Sequence, residues 1–230
     1  MSLLPRAYRE GGLLTWRYLL PLVWLNLIWL ALSWTLLLAG PATLACYALI
    51  ATTMREDRDP DLRLFPALLR QNLLAGVLWL LTVAVFAFLM YSNLVFWLRV
   101  SGNFGDAVVS LLALYLSWLF VALQPYLLEA LSVQRLSYGR AWQAALFALI
   151  RTPVSAHLYV LIPVLVVLLA FFFRTFGLVI LVSMALTFAA VQVKPITERP
   201  EPAEPEAPEP SDPTDSAEST GQLSGPSTPV

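Results

Sequence analysis

The chain has 230 residues, of which 59% are hydrophobic and 13% are charged. Soluble domains are about 45–50% apolar and about 25% charged, so this composition excludes an ordinary soluble domain. The formal net charge of −1 combines two unlike parts, because residues 194–230 hold eight of the fifteen acids while residues 1–193 are net basic. A basic, apolar body favours a lipid bilayer with anionic head groups as its partner, and nothing in it indicates nucleic-acid binding.

Long apolar runs predict the fold class. About 20 helical residues cross the roughly 30 Å hydrocarbon core of a bilayer. We predict an all-α protein: a polytopic transmembrane helical bundle of about six spans, with two interfacial helices and a disordered C-terminal tail. The predicted spans are residues 18–38, 41–54, 73–98, 107–131, 154–173 and 176–193.

The first two spans form a predicted hairpin that follows a basic interfacial segment, residues 1–17. Gly40 and Pro41 are the expected hairpin turn, because Gly suits a left-handed helix cap and Pro suits the first turn of the next helix. The second span has only fourteen residues, a length of about 21 Å, which is short for a crossing.

Two amphipathic stretches, residues 62–72 and 138–149, have apolar residues at helical spacing beside arginines and predict interfacial helices. The fourth span contains Gln124 and Pro125, where we expect a kink. Residues 194–230 combine nine prolines with the eight acids, a composition typical of disorder. The predicted organisation is therefore residues 1–17, a membrane domain at 18–193, and a cytosolic tail at 194–230.

The distribution of basic residues decides how the short second span is interpreted. If it crosses, twelve of the fourteen Lys and Arg residues lie on the side of both termini and two lie on the other side. If it dips and returns, the split becomes five inside and nine outside. The positive-inside rule favours six crossings with both termini in the cytosol.

Three blocks of sequence resemble the YesL-like family of bacterial membrane proteins of unknown function. The first joins residues 26–30 (NLIWL) to residues 39–49 (AGPATLACYAL), the second is residues 65–72 (FPALLRQN), and the third is residues 124–128 (QPYLL) with the Ala-rich residues 141–153. The resemblance implies the bacterial plasma membrane and an accessory role near a carbohydrate uptake system. It assigns no catalytic residue.

Three polar residues within the predicted spans are candidate functional sites. Glu129 is the only acid in a span, and an intramembrane carboxylate is a functional hypothesis by default. Its place near the cytosolic end also allows contact with interfacial water or Arg135. Gln124 would either satisfy a carbonyl freed by Pro125 or line a polar cavity. Asn26 would brace the hairpin through an interhelical hydrogen bond.

No metal, cofactor or catalytic site is expected from the remaining residues. His157 is the only histidine, and no Cys, His or acid stands near it at ligand spacing. The single cysteine, Cys46, lies in an apolar run and excludes an intrachain disulfide. The acids between Glu56 and Asp61 alternate with arginines, which favours a solvated loop over a divalent-metal loop.

Two functions of different classes remain open. The first is a non-enzymatic accessory or regulatory component with a membrane-protein partner such as a transporter. The second is a small transporter or channel whose polar path contains Asn26, Gln124 and Glu129. An intramembrane enzyme is least favoured, because it would need a convergent acid/base pair and the spans supply one carboxylate.

The orientation gives a first prediction. A reporter fused after Val193 should be active on the cytosolic side, because the basic loops stay in the cytosol. A cysteine introduced at Asp59 should resist an impermeant thiol reagent in intact cells and react after permeabilisation. Labelling of intact cells at that position would contradict the arrangement.

Overall fold

The computed structural model describes residues 6–56, 60–100, 104–162, 164–165 and 177–193. These residues are almost wholly helical and include no strand, so the predicted all-α class is confirmed. The chain divides into two units, Met1–Thr197 and Glu198–Val230. The predicted disordered tail, residues 194–230, lies outside the described residues.

Nine α-helices have both ends within these ranges, and a 3₁₀ turn at Leu62–Leu64 leads into the fourth. They are α1 (Arg6–Arg17), α2 (Leu19–Ser33), α3 (Ala39–Glu56), α4 (Phe65–Gln71), α5 (Leu73–Val100), α6 (Phe104–Ser132), α7 (Tyr138–Arg151), α8 (Pro153–Tyr159) and α9 (Gly177–Val193). Residues 161–162 and 164–165 are also helical.

Helix α3 is the core of the first unit. It packs against α2, α4, α5, α6 and α9, and every residue from Gly40 to Ala51 is buried. Many of its side chains are small, as at Ala42, Ala45 and Ala48, which lets the surrounding helices approach closely. The shortest predicted span is therefore the most enclosed helix of those described.

Helices α5 and α6 are the longest described helices, at 28 and 29 residues, or about 42 Å each. Their segments Leu73–Trp97 and Ala107–Ser132 are long and apolar enough to cross a membrane. Helices α1 and α2 could form a third span, but they meet at an angle of 87°. Within the described part of the chain, two helices therefore meet the criteria for a span, and the bent α1–α2 pair would make a third.

The six-span count is not confirmed. Helices α2, α3 and α9 have 15, 18 and 17 residues, so each is about 22–27 Å long and shorter than a typical hydrocarbon core. Nine of the twenty residues of the predicted fifth span, 163 and 166–173, lie outside the described residues.

The turn between α2 and α3 lies earlier than Gly40 and Pro41. Helix α2 ends at Ser33 and α3 begins at Ala39, and the left-handed residue of the connection is Leu36, with φ of 53°. The Thr35 hydroxyl donates to the Leu32 carbonyl at 2.8 Å and accepts from the Leu38 amide at 3.3 Å. These local bonds end α2 several residues before the sequence suggested.

Gly40 is helical and serves a close approach between helices rather than a left-handed cap. A Cβ atom built on Gly40 would lie 2.1 Å from the carbonyl oxygen of Gly76 on α5. A Cβ atom built on Gly76 would lie 2.4 Å from the Cα atom of Pro41. The backbones of α3 and α5 are therefore in direct contact, and neither helix has room for a side chain at this crossing.

Helix α6 continues through Pro125. The predicted interfacial helices are present as helices: the 3₁₀ turn with α4 covers most of residues 62–72, and α7 covers residues 138–149. Helix α7 buries Ala141, Ala145 and Leu149 and exposes Phe147 and Ile150. It packs against α6 and α8.

The Gly40–Gly76 crossing predicts a steric effect. Gly40→Ala should destabilise the bundle by about 1–3 kcal/mol, the usual cost of overpacking, and lower the thermal midpoint in detergent. Gly12→Ala is the matched control, because nothing lies within 4 Å of a Cβ atom there and Ala has the higher helix propensity. Equal midpoints for Gly40→Ala and the unmodified chain would contradict the backbone contact.

Candidate functional site

Asn26 joins α2 to α9. Its side chain is 1% exposed, and its Oδ1 atom accepts a hydrogen bond from the backbone N–H of Ser183 at 3.2 Å. The Ser183 hydroxyl donates in turn to the carbonyl oxygen of Leu22 at 2.9 Å. Asn26 therefore braces two helices, as its residue type suggested, but this bond reaches α9 rather than the α2–α3 turn.

The α2–α3 hairpin has a different clamp, which the sequence analysis missed. The Trp29 indole N–H donates to the Thr43 hydroxyl at 2.8 Å, and that hydroxyl donates to the carbonyl oxygen of Ala39 at 2.7 Å. Trp29 belongs to the NLIWL stretch and Thr43 follows Gly40 and Pro41. The N–H of a partly buried indole usually finds an acceptor, which was the sequence signal for this pair.

Gln124 joins α6 to α5. Its Oε1 atom accepts from the Trp79 indole N–H at 2.9 Å, and its Nε2 atom donates to the carbonyl oxygen of Phe120 at 3.1 Å. The carbonyl that Pro125 leaves without its usual helical donor is that of Val121. The Gln124 side chain therefore bonds the carbonyl of Phe120, whereas the predicted role required a bond to the carbonyl of Val121.

Glu129 is buried in the core beside α3. Its side chain is 2% exposed, and the Tyr47 hydroxyl donates to its Oε2 atom at 3.2 Å. Burial of a carboxylate is costly unless it is hydrogen-bonded or paired. Arg135, the cation considered from the sequence, instead donates to the Gln71 side chain at 2.6 Å. Glu129 is therefore more enclosed than its position near a helix end suggested.

These hydrogen bonds connect the three candidate residues to different helices. Asn26 bonds α9, Gln124 bonds α5, and Glu129 bonds α3. Gln124 and Glu129 are five residues apart on α6, so they point about 140° apart around it. The described contacts form three separate links between helices.

Further hydroxyl contacts hold α7 in place. The Tyr138 hydroxyl contacts the Thr82 hydroxyl and donates to the carbonyl oxygen of Leu78 at 3.3 Å. The hydroxyls of Tyr126 and Thr152 lie 2.7 Å apart. These contacts tie α7 to α5 and the end of α7 to α6.

Within the described ranges, no group of three or more His, Cys, Asp or Glu side chains is placed to hold a metal ion. The Nδ1 atom of His157 lies 2.7 Å from the carbonyl oxygen of Pro153 one turn earlier. Cys46 is a buried free thiol in the core. Neither residue belongs to a described cluster with redox or metal chemistry.

A model of the family described as "Protein of unknown function, DUF624" matches residues 22–94. This family is known from bacterial membrane proteins, and the match covers about a third of the chain. The match supports the resemblance to bacterial membrane proteins of unknown function, but it does not confirm the YesL-like name. No curated protein and no solved structure matches the chain.

The matched region runs from α2 through α3 and α4 into α5. It contains the Trp29–Thr43 clamp, the Gly40–Gly76 crossing and Tyr47, the partner of Glu129. The chain is therefore similar to this family over the segment that builds the core helix and its nearest contacts.

The Tyr47–Glu129 bond gives a stability prediction. Tyr47→Phe should destabilise the bundle by about 1.5–3 kcal/mol, because it removes a hydrogen bond to a buried carboxyl group. Tyr91→Phe, at an exposed position on α5, should change stability by less than about 0.5 kcal/mol. Chemical or thermal unfolding in detergent measures both variants, and equal losses would contradict a specific role for this bond.

Proposed function

We propose that the chain is a non-enzymatic accessory or regulatory component of the bacterial plasma membrane, acting beside a carbohydrate uptake system. The observation that carries the proposal is that polar side chains bond helices to one another inside the bundle, while large apolar side chains are exposed on its outside. The described hydrogen bonds of Asn26, Gln124 and Glu129 hold helices together. Groups engaged in this way stabilise a scaffold and have no described reactive geometry.

The apolar outer surfaces of α5 and α6 support a partner within the membrane. Leu81 and Phe88 on α5, and Leu111 and Leu112 on α6, are all more than half exposed. In a bilayer such surfaces contact lipid tails or the helices of another membrane protein. A scaffold with a clamped core and two apolar outer helices is suited to bind a transporter subunit from the side.

The uptake system as partner comes from the family resemblance of the sequence blocks. The arrangement with both termini in the cytosol comes from the distribution of basic residues. Arginines on α1, α4 and α7 would contact anionic lipid head groups at the cytosolic surface.

A second candidate, a small transporter or channel, is favoured by one observation. Glu129 is a carboxylate buried within a helix that could cross a membrane, a common feature of proton and ion pathways. Asn26 and Gln124 would complete its polar path. Their bonds to separate helices make this candidate the weaker of the two.

Transport by the purified chain distinguishes the two candidates. Proteoliposomes containing only the full chain should take up none of a panel of labelled mono- and disaccharides. A deletion strain should show reduced uptake of at least one of these sugars, and the unmodified gene should restore it. Uptake by the chain alone would contradict the accessory role, and so would normal uptake of every sugar by the deletion strain.

Glu129→Gln provides the residue-level comparison, because it removes the charge and keeps nearly the same shape. An accessory scaffold should tolerate this change, so the variant should restore uptake in the deletion strain to within about twofold of the unmodified chain. A transporter that uses the carboxylate should lose uptake. Detergent stability of the variant is measured in parallel to separate misfolding from loss of function.

A further inference from the structure

The hairpin of α2 and α3 is uncharged but short. No Asp, Glu, Lys, Arg or His lies between Arg17 and Arg55, so nothing in this stretch opposes burial in lipid. A full double crossing requires each helix to span a hydrocarbon core of roughly 30 Å. Helix α2 has 15 residues and ends at Ser33, so it is about 22 Å long. It is too short to carry the chain across by itself.

The turn between the two helices, residues 34–38, is apolar and exposed. Trp34 is 89% exposed, and Leu36 and Leu37 are also more than half exposed. Large exposed apolar surfaces of this kind mark sites of protein or membrane contact. The turn therefore has the side chains of a segment that meets lipid.

The backbone donors of this turn are satisfied by the hairpin itself. Every N–H group from Thr35 to Ala39 donates to a backbone carbonyl of the hairpin or to the Thr35 hydroxyl. The hydrocarbon core of a bilayer contains no water to accept from such groups, so they need protein acceptors there. The turn therefore meets a requirement for placement in lipid that a turn in water does not have.

The contact between Gly40 and Gly76 fixes how far the turn extends along α5. Six full crossings would place Gly40 at the outer end of its span and Gly76 one turn inside the cytosolic end of the third span. The two residues would then be separated by most of the roughly 30 Å hydrocarbon core. In the structure their backbones touch. Helix α3 and the apolar segment of α5 therefore begin at nearly the same depth.

Helix α5 continues far beyond the turn. From Gly76 to Trp97, the end of its apolar segment, it is about 32 Å long, which is the thickness of a hydrocarbon core. Helix α4 immediately precedes α5 and packs against α3. Helix α3 therefore runs back beside α4, while α5 continues in the opposite direction. The turn lies near the beginning of the segment of α5 that could cross the membrane.

We propose that α2 and α3 form a re-entrant hairpin, which enters and leaves one leaflet from the same side of the membrane, with residues 34–38 among its acyl chains. A bilayer with its head groups is about 40–45 Å thick, so the length of α2 matches one leaflet. The 87° bend between α1 and α2 then places α1 along the membrane surface. Its exposed Arg9 and Arg17 would lie at the level of the head groups.

A re-entrant hairpin leaves the distribution of basic residues between the two sides unchanged. Arg17 and Arg55 lie on one side of the membrane whether the hairpin crosses twice or turns back within one leaflet, so the positive-inside rule accommodates both arrangements. What differs is the surrounding of residues 34–38, which is lipid in one arrangement and the outer solution in the other. The hairpin arrangement is independent of the proposed accessory function.

Thiol labelling at residue 37 distinguishes the two arrangements. The full chain carries Cys46→Ala, so that an introduced cysteine is the only thiol. Leu37→Cys tests the turn, while Gly12→Cys on α1 and Ala107→Cys at the start of the apolar segment of α6 mark the two membrane surfaces. Each variant is treated with an impermeant maleimide in intact cells, in inside-out vesicles, and after denaturation in detergent.

We expect Leu37→Cys to react only after denaturation, because lipid covers the turn on both sides. Gly12→Cys should react only in inside-out vesicles, and Ala107→Cys should react only in intact cells. Both are exposed positions, so they should be labelled without denaturation.

Trp34 provides a second measurement that needs no introduced cysteine. In nanodiscs both membrane surfaces are open to the buffer, and the difference between the unmodified chain and Trp34→Phe isolates the emission of Trp34. Lipids brominated on their acyl chains should quench this emission, and iodide in the buffer should not. Trp16, which is 79% exposed on α1, is the comparison. Isolated in the same way with Trp16→Phe, it should be quenched by iodide more strongly than Trp34.

Three results would overturn the proposal. Labelling of Leu37→Cys in intact cells would show a full crossing. Its labelling in inside-out vesicles, or quenching of Trp34 by iodide, would place the turn in water. Labelling of Gly12→Cys and Ala107→Cys from the same side would show that the membrane does not lie between α1 and the start of the apolar segment of α6. If a cysteine variant fails to fold, the Trp34 measurement still decides whether the turn lies in lipid.

Discussion

The contact between the backbones of α3 and α5 is the constraint on which the described bundle depends. At Gly40 and Gly76 the two helices touch without an intervening side chain, so α3 is held close to the longest apolar helices. This closeness places α3 among five neighbours and buries it from Gly40 to Ala51. Small residues permit such packing where the hydrophobic effect gives little drive for helix association in lipid. A crossing of this kind fixes both the distance and the rotation of the pair, because any Cβ atom facing the contact would separate the helices.

Polar side chains in the core complement this close packing by fixing which helix faces meet. Asn26 with Ser183, Trp29 with Thr43 and Tyr47 with Glu129 each join a different pair of helices. In an apolar environment an unsatisfied polar group is costly, so each pair favours one helix register over its alternatives. The described hydrogen bonds of these three pairs therefore hold helices together.

The exposed surface of the described helices carries many large apolar side chains instead of paired polar groups. Outside the buried core, α5 and the first half of α6 present mostly apolar side chains, while α7 carries exposed Phe147 and Ile150 between its arginines. These surfaces match a bilayer and its interface.

The all-α class, most of α5 and α6, and the two amphipathic stretches at α4 and α7 could be predicted from the amino-acid sequence, because hydrophobic periodicity and length are local properties. The sequence also identified Asn26, Gln124 and Glu129 as polar residues in need of partners. Their partners could not be predicted, because they come from packing between distant parts of the chain: Ser183 is 157 residues from Asn26, and Tyr47 is 82 residues from Glu129. Only the tertiary structure decided that Gly40 serves a helix crossing and that the α2–α3 turn lies earlier, at Leu36. A glycine followed by a proline has the same local signature in a turn and in a packed first turn of a helix, and only the position of Gly76 across the interface distinguishes the two.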